Sequence, residues 1–201
     1  MAAQKAHDPR AVANLLLDLA QQKQIVVRHL KLQKLLYFAH GMHLITERRP
    51  LVSGNFEAWQ RGPVHPAVYR AFREVGANPI TIRAQRENVV TGEMSALPAI
   101  EDEAAIEAVR RVVAGLGQMS DFDLVDLSHA EGGPWSVVVH KMRDGFALGA
   151  RIGDDVIRSC FARHKFVVRT DAAHVEGSGA AKLAEAALGI EKPFTAAHGT
   201  R

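Results

Sequence analysis

His40 and His43 stand three residues apart in "LLYFAHGMHLIT", close enough on a helix to face a similar direction and to suggest a pair of metal ligands. A zinc hydrolase built on a helix wants His-Glu-x-x-His, with one turn between the histidines and a carboxylate to act as base; "HGMH" supplies neither. The two are read as partly buried, hydrogen-bonded helix histidines. Cys160 and His164 are four apart in "VIRSCFARH", so a thiol–imidazole contact is conceivable. A cysteine nucleophile also needs an oriented base and oxyanion donors, and no residues nearby supply them, which leaves a small buried cysteine. Ser128 and His129 are adjacent, and adjacent helix positions point apart. "GLGQMSD" lacks both a preceding strand and a Walker lysine, so it is a helix end running into the next cap and not a phosphate cradle. The residues thus point away from an enzyme, with no cofactor and no metal expected.

A different chemistry is concentrated in "EAWQRGPVHPAVYRAF", residues 57–72. Trp59 and Tyr69 are amphipathic aromatics that pack while one polar end stays satisfied. Arg61 offers a planar fork of donors for a carbonyl, a carboxylate or an aromatic face. Gly62-Pro63 forces a turn and Pro66 presets a helix start. Such a rigid corner suits both the support of a core and the recognition of a partner, since a stiff surface loses less entropy on binding.

The elements that must position these residues follow from periodicity. Asp8-Pro9 starts a helix whose Val12, Leu15, Leu16 and Leu19 share one face. In "HLKLQKLLYFAHGMHLIT" the stripe is Leu32, Leu35, Leu36, Ala39 and Met42, and Gly41 predicts the close approach of another backbone. Pro66 to Gly76 gives a short helix; "NPITIRAQ" alternates Ile80 and Ile82 as a short strand; "ENVVTGEMSALPA" reads as a loop. "EDEAAIEAVRRVVAGLG" is the clearest helix, with Ile106, Val109, Val113 and Leu116 on one face. Ser120 with Asp123 caps the next, which Gly132-Gly133-Pro134 ends. Asp154 or Asp155 starts another. The fold class is mainly α with a small β element (α+β): a single compact helical domain over residues 1–166, followed by an extension over 167–201 that carries a weak helix, "GAAKLAEAALG".

Composition sets the remaining bounds. The chain has 201 residues, 47% of them apolar and 23% charged, which is ordinary globular usage. The net charge of +3 comes without a block of like charges, so general affinity for nucleic acid is expected to be weak. A lone cysteine excludes an intramolecular disulfide and favours a reducing compartment. Asp18 interrupts the first apolar stretch, there is no membrane-length run, and a cytoplasmic setting is expected.

The stretch "HLKLQKLLYFAHGMHLITERRPLVSGNFEAWQRGPVHPAVYRAF", together with "LVDLSHAEGGPW", resembles the Panacea domain family, to which the SocA-like antitoxins belong. The resemblance rests on Leu32-Gln33-Lys34-Leu35-Leu36-Tyr37, then Trp59, Arg61-Gly62-Pro63-Val64, Tyr69, His129 and Pro134-Trp135, in that order. It runs from about Arg28 to Trp135, with a further reach toward Phe161. It implies a largely helical, non-enzymatic antitoxin that neutralises a cognate toxin from the same operon by direct contact. For the SocA-like branch it implies an adaptor that delivers the toxin to ClpX of the ClpXP protease. The toxin surface is then expected among the exposed members of Tyr37, His40, Arg61, His65, Tyr69 and Arg73, with Trp59 as support, because Tyr, Trp and Arg dominate binding hot spots. The alternatives are blockade without proteolysis, or an autorepressor that binds DNA; for the latter, Ser120 to Trp135 loosely suggests a helix-turn-helix, but "SDFDLVDLSHAE" is acidic where such a unit should be neutral or basic.

Overall fold

The computed structural model describes residues 5–141 and 149–163. The elements follow in the order α1 (Pro9–Gln22), α2 (His29–Thr46), β1 (Phe56–Trp59), β2 (Gly62–Val64), α3 (Pro66–Phe72), β3 (Gln85–Glu87), β4 (Met94–Ala96), α4 (Glu103–Leu116), α5 (Asp121–Ser128), α6 (Pro134–Lys141), β5 (Ala150–Ile152) and α7 (Asp154–Arg163). The class is mainly α with small β elements. The extension over 167–201, its weak helix and His164 lie outside the described residues.

Helix starts follow their local chemistry. Asp8 accepts from Arg10 N at 2.9 Å with Pro9 in the first turn of α1. Asp102 accepts from Ala104 N and Ala105 N at the start of α4. Ser120 and Asp123 form a reciprocal capping box on α5. The buried face of α1 is Val12, Ala13, Leu16, Leu17 and Ala20, turned slightly from the expected stripe so that Leu15 and Leu19 sit at its edge.

Helix α2 is the axis of the fold. Every residue from Lys31 to Leu44 is buried, where a single stripe was expected. Helices α1, α4, α5 and α7 and strand β2 pack around it. A helix without a polar face is stable only when it is enclosed on all sides, and α2 is. Gly41 makes a close approach possible, but the group that comes close is the Phe161 ring of α7 and not a backbone: a Cβ at Gly41 would lie 2.1 Å from Phe161 Cε1.

Strand β1 pairs antiparallel with β2 on one side and β5 on the other, giving the order β2-β1-β5. Trp59 opposes Gly62, so Gln60 and Arg61 form a two-residue turn closed by Gly62 at φ +92°. The second hairpin corrects the sequence reading. Ile80 and Ile82 lie outside the strands, whereas Gln85–Glu87 pairs with Met94–Ala96 within the stretch expected to be a loop. Both strands are exposed, so burial imposed no alternation that would have marked them.

Candidate partner-binding groove

Three contacts from the core lock the Trp59–His65 hairpin in place. The ammonium of Lys34, fully buried, donates to Pro63 O at 2.9 Å. The Gln33 amide oxygen accepts from His65 N at 2.8 Å. Trp135 of α6 donates its indole N–H to Trp59 O at 2.9 Å. Gly62 is required at the corner, since a Cβ there would lie 2.5 Å from Ser128 Oγ and 2.7 Å from Lys34 Nζ.

The electrostatics of this support are those of a dry interior. Burial pulls the Lys34 pKa down to about 7. His129 stacks on Trp135 with ring centroids 3.7 Å apart; burial, with the Lys34 charge as a second cause, lowers its pKa to about 4. Ser128 Oγ donates to Val125 O at 2.8 Å. Adjacent in sequence, Ser128 and His129 thus have separate structural partners.

On this base stands a groove of about 630 Å³, lined by the N-terminal end of α2, the hairpin turn, α3 and the first turn of α5. Trp59, Arg61, Tyr69 and Arg73 all line it. The Trp59 and Tyr69 rings meet at 4.8 Å, Trp59 Nε1 donates to Glu57 Oε2 at 2.8 Å, and His29 packs edge-on to Tyr69 at 5.1 Å. Arg73 pairs with Glu74 at 3.0 Å. The guanidinium of Arg61, like that of Arg28, which also lines the groove, has no hydrogen bond or ion pair among the described residues.

The structure buries the remaining expected surface residues. Tyr37 lies edge-on against Phe56 and Phe161 in the core, its hydroxyl without a partner among the described residues and its pKa pushed up by burial. His40 bridges elements: Nε2 faces Asp154 Oδ1 at 3.1 Å and Nδ1 accepts from Val52 N. His65 donates from Nε2 to Ser53 O at 3.0 Å. All three are at most 3% exposed, because α2 is enclosed all round and β2 lies against it. His43, three residues on, donates from Nδ1 to Arg49 O at 3.0 Å. Among the described residues no group of three or more His, Cys, Asp or Glu side chains is arranged to hold a metal ion. Cys160 is buried.

Phe122 is the groove residue that sequence reasoning missed. It stands 74% exposed in the first turn of α5 while Leu124 and Leu127 face the core. An aromatic off its helix's buried face, between capping acids, was the available signal. Arg28, Leu30 and Gln33 were missed as well, because only the folded hairpin brings the start of α2 beside Trp59.

The profile of the family described as "Antitoxin SocA-like, Panacea domain" matches residues 32–136. The chain belongs to this family. Antitoxin SocA of Caulobacter vibrioides (strain NA1000 / CB15N) is 46% identical over 161 residues, which cover 80% of this chain and 86% of that protein. No solved structure gives a significant match. In this Panacea domain the matched stretch contains Lys34, the hairpin, Tyr69, Arg73, Phe122 and Trp135, so it holds both the support and most of the groove. Arg28, His29 and Leu30 lie just before it.

Proposed function

We propose that this chain is the antitoxin of a toxin–antitoxin pair, that it holds its cognate toxin in the Trp59–Tyr69–Phe122 groove, and that it delivers the toxin to ClpX of the ClpXP protease. One observation carries the reading: in a relative of Antitoxin SocA, aromatic and arginine side chains line one open groove whose hairpin is fixed by hydrogen bonds from Lys34 and Trp135. Preorganised aromatic and arginine groups are the chemistry of binding hot spots. Delivery works by raising the effective concentration of the toxin at the protease, and it asks for two surfaces and no reacting centre. The setting is the cytoplasm, which suits a lone reduced cysteine; no helix among the described residues is long and apolar enough to cross a membrane.

The test has two parts. Capture of the co-encoded toxin by the wild-type chain is compared with capture by Arg61→Ala/Tyr69→Ala; undiminished capture by the folded double variant removes the groove from consideration. The toxin's lifetime is then followed in cells with and without this chain, and with and without ClpX. Loss of toxin only when both are present supports delivery, whereas a stable but silent toxin supports blockade.

A further inference from the structure

The polar groups around the groove are unequally matched. Arg28 and Arg61 rim it with guanidiniums that make no ion pair among the described residues. Arg28 is also the N-cap of the 18-residue helix α2 and supplies no side-chain cap, and with His29 and Leu30 it brings the positive end of that helix dipole to the groove's lining. Gln33, only 1% exposed, lines the same wall. Its amide oxygen is fixed by His65 N, which identifies the other end as the NH₂ group, and that buried nitrogen has no acceptor among the described residues. The carboxylate lining the groove is Asp121, already 3.8 Å from Lys31. Two arginines without ion-pair partners among the described residues thus line the groove together with the apolar surface of Leu30, Val64, Tyr69 and Phe122.

We propose that the groove selects an acidic segment of the protein partner: an Asp or Glu carboxylate enters between Arg28, Arg61 and the start of α2, and a neighbouring apolar side chain lies against Tyr69 and Phe122. This rests on the groove being the toxin-binding surface. Charge complementarity selects the carboxylate, since arginine forks hold it in bidentate geometry. The apolar wall favours a peptide over duplex DNA, whose bases are already stacked within the helix and leave only phosphates to face the groove. The complementary field also speeds encounter, so association slows as salt rises.

The experiment uses the full chain and the co-encoded toxin, whole and as short overlapping labelled peptides. The tightest peptide is expected to carry Asp or Glu beside an apolar residue. Its Asn or Gln replacement, and separately Arg28→Glu or Arg61→Glu, weakens binding by about tenfold or more, as expected of a close charge pair at an interface. A Lys at the peptide's acidic position restores binding to Arg61→Glu. Both arginines are exposed, so thermal unfolding of the variants stays unchanged. If the charge reversals leave affinity within about twofold while Tyr69→Ala/Phe122→Ala abolishes it, the acidic inference falls and the groove survives, because apolar anchors alone then carry the affinity. If neither set matters, the groove reading itself falls. Displacement of the toxin peptide by a synthetic peptide of residues 167–201 would reassign the groove to this chain's own extension. Displacement by short duplex DNA would reassign it to phosphate.

Discussion

Lys34 Nζ sits 2.9 Å from Pro63 O with no carboxylate partner among the described residues, a buried amine whose one described acceptor is the backbone of the groove's own turn. The contact joins the central helix directly to the surface that displays Arg61. It also makes the fold sensitive to alkaline pH in an unusual direction.

The folded pKa of Lys34 is about 7, below its ordinary 10.5. Between these values the unfolded chain binds the proton and the folded chain does not, so this group adds stability as pH rises from about 7 and stops adding near 10.5. Wild-type stability is therefore expected to climb relative to Lys34→Met across this window, by at most about 1.4 kcal/mol per pH unit. Urea unfolding at a series of pH values checks it; parallel curves for the two proteins would refute it.

Asp102 caps α4, accepts from Arg49 at 2.6 Å and faces His7 at 3.1 Å. Burial raises its pKa, but the hydrogen bonds from Arg49 and His7 outweigh this and hold it at about 2. A depressed carboxylate contributes stability that is complete above its ordinary 3.8 and is lost as pH falls through about 2. Asp102→Asn is expected to cost about 1–3 kcal/mol at neutral pH, through the cap and the charged hydrogen bonds. Its denaturation curve converges on the wild type in strong acid.

Gly41→Ala would place a methyl into the Phe161 ring. Overpacking of this kind costs about 1–3 kcal/mol, more than the roughly 1 kcal/mol gained in helix propensity. In a Phe161→Ala background the same change should become neutral or stabilising. A double-mutant cycle by chemical denaturation reads the coupling; additive costs would mean that α7 does not seat its ring there.

Trp135→Phe removes the indole N–H that Trp59 O accepts while it keeps an aromatic beside His129. The expected stability loss is about 1 kcal/mol. Toxin capture should weaken by more than that loss implies, with a faster off-rate, because the hairpin that presents Arg61 is loosened. Surface plasmon resonance against the cognate toxin separates the two rates.

Much of the fold was legible because its signals are local. Asp8-Pro9, Asp102 and Ser120–Asp123 mark helix starts through bonds made within a few residues. Strands β3 and β4 were missed, since both are exposed and bear no buried alternation. At the groove, Trp59, Arg61, Tyr69 and Arg73 could be named because rigid aromatics and arginines crowd one short stretch. Tyr37, His40 and His65 carry equally suitable chemistry and are buried. Residue type does not reveal which side of a helix another element will cover.

By itself the amino-acid sequence determined the helices, their caps, the Gly62-Pro63 corner and the family to which the chain belongs, all of which depend on neighbours or on ordered motifs. Only the tertiary structure decided that α2 is enclosed on every side, that the Lys34 amine is buried, and that Arg28 and Phe122 complete the groove. These properties arise where segments distant along the chain exclude water together, and burial is a property of the assembled neighbours and not of any one residue.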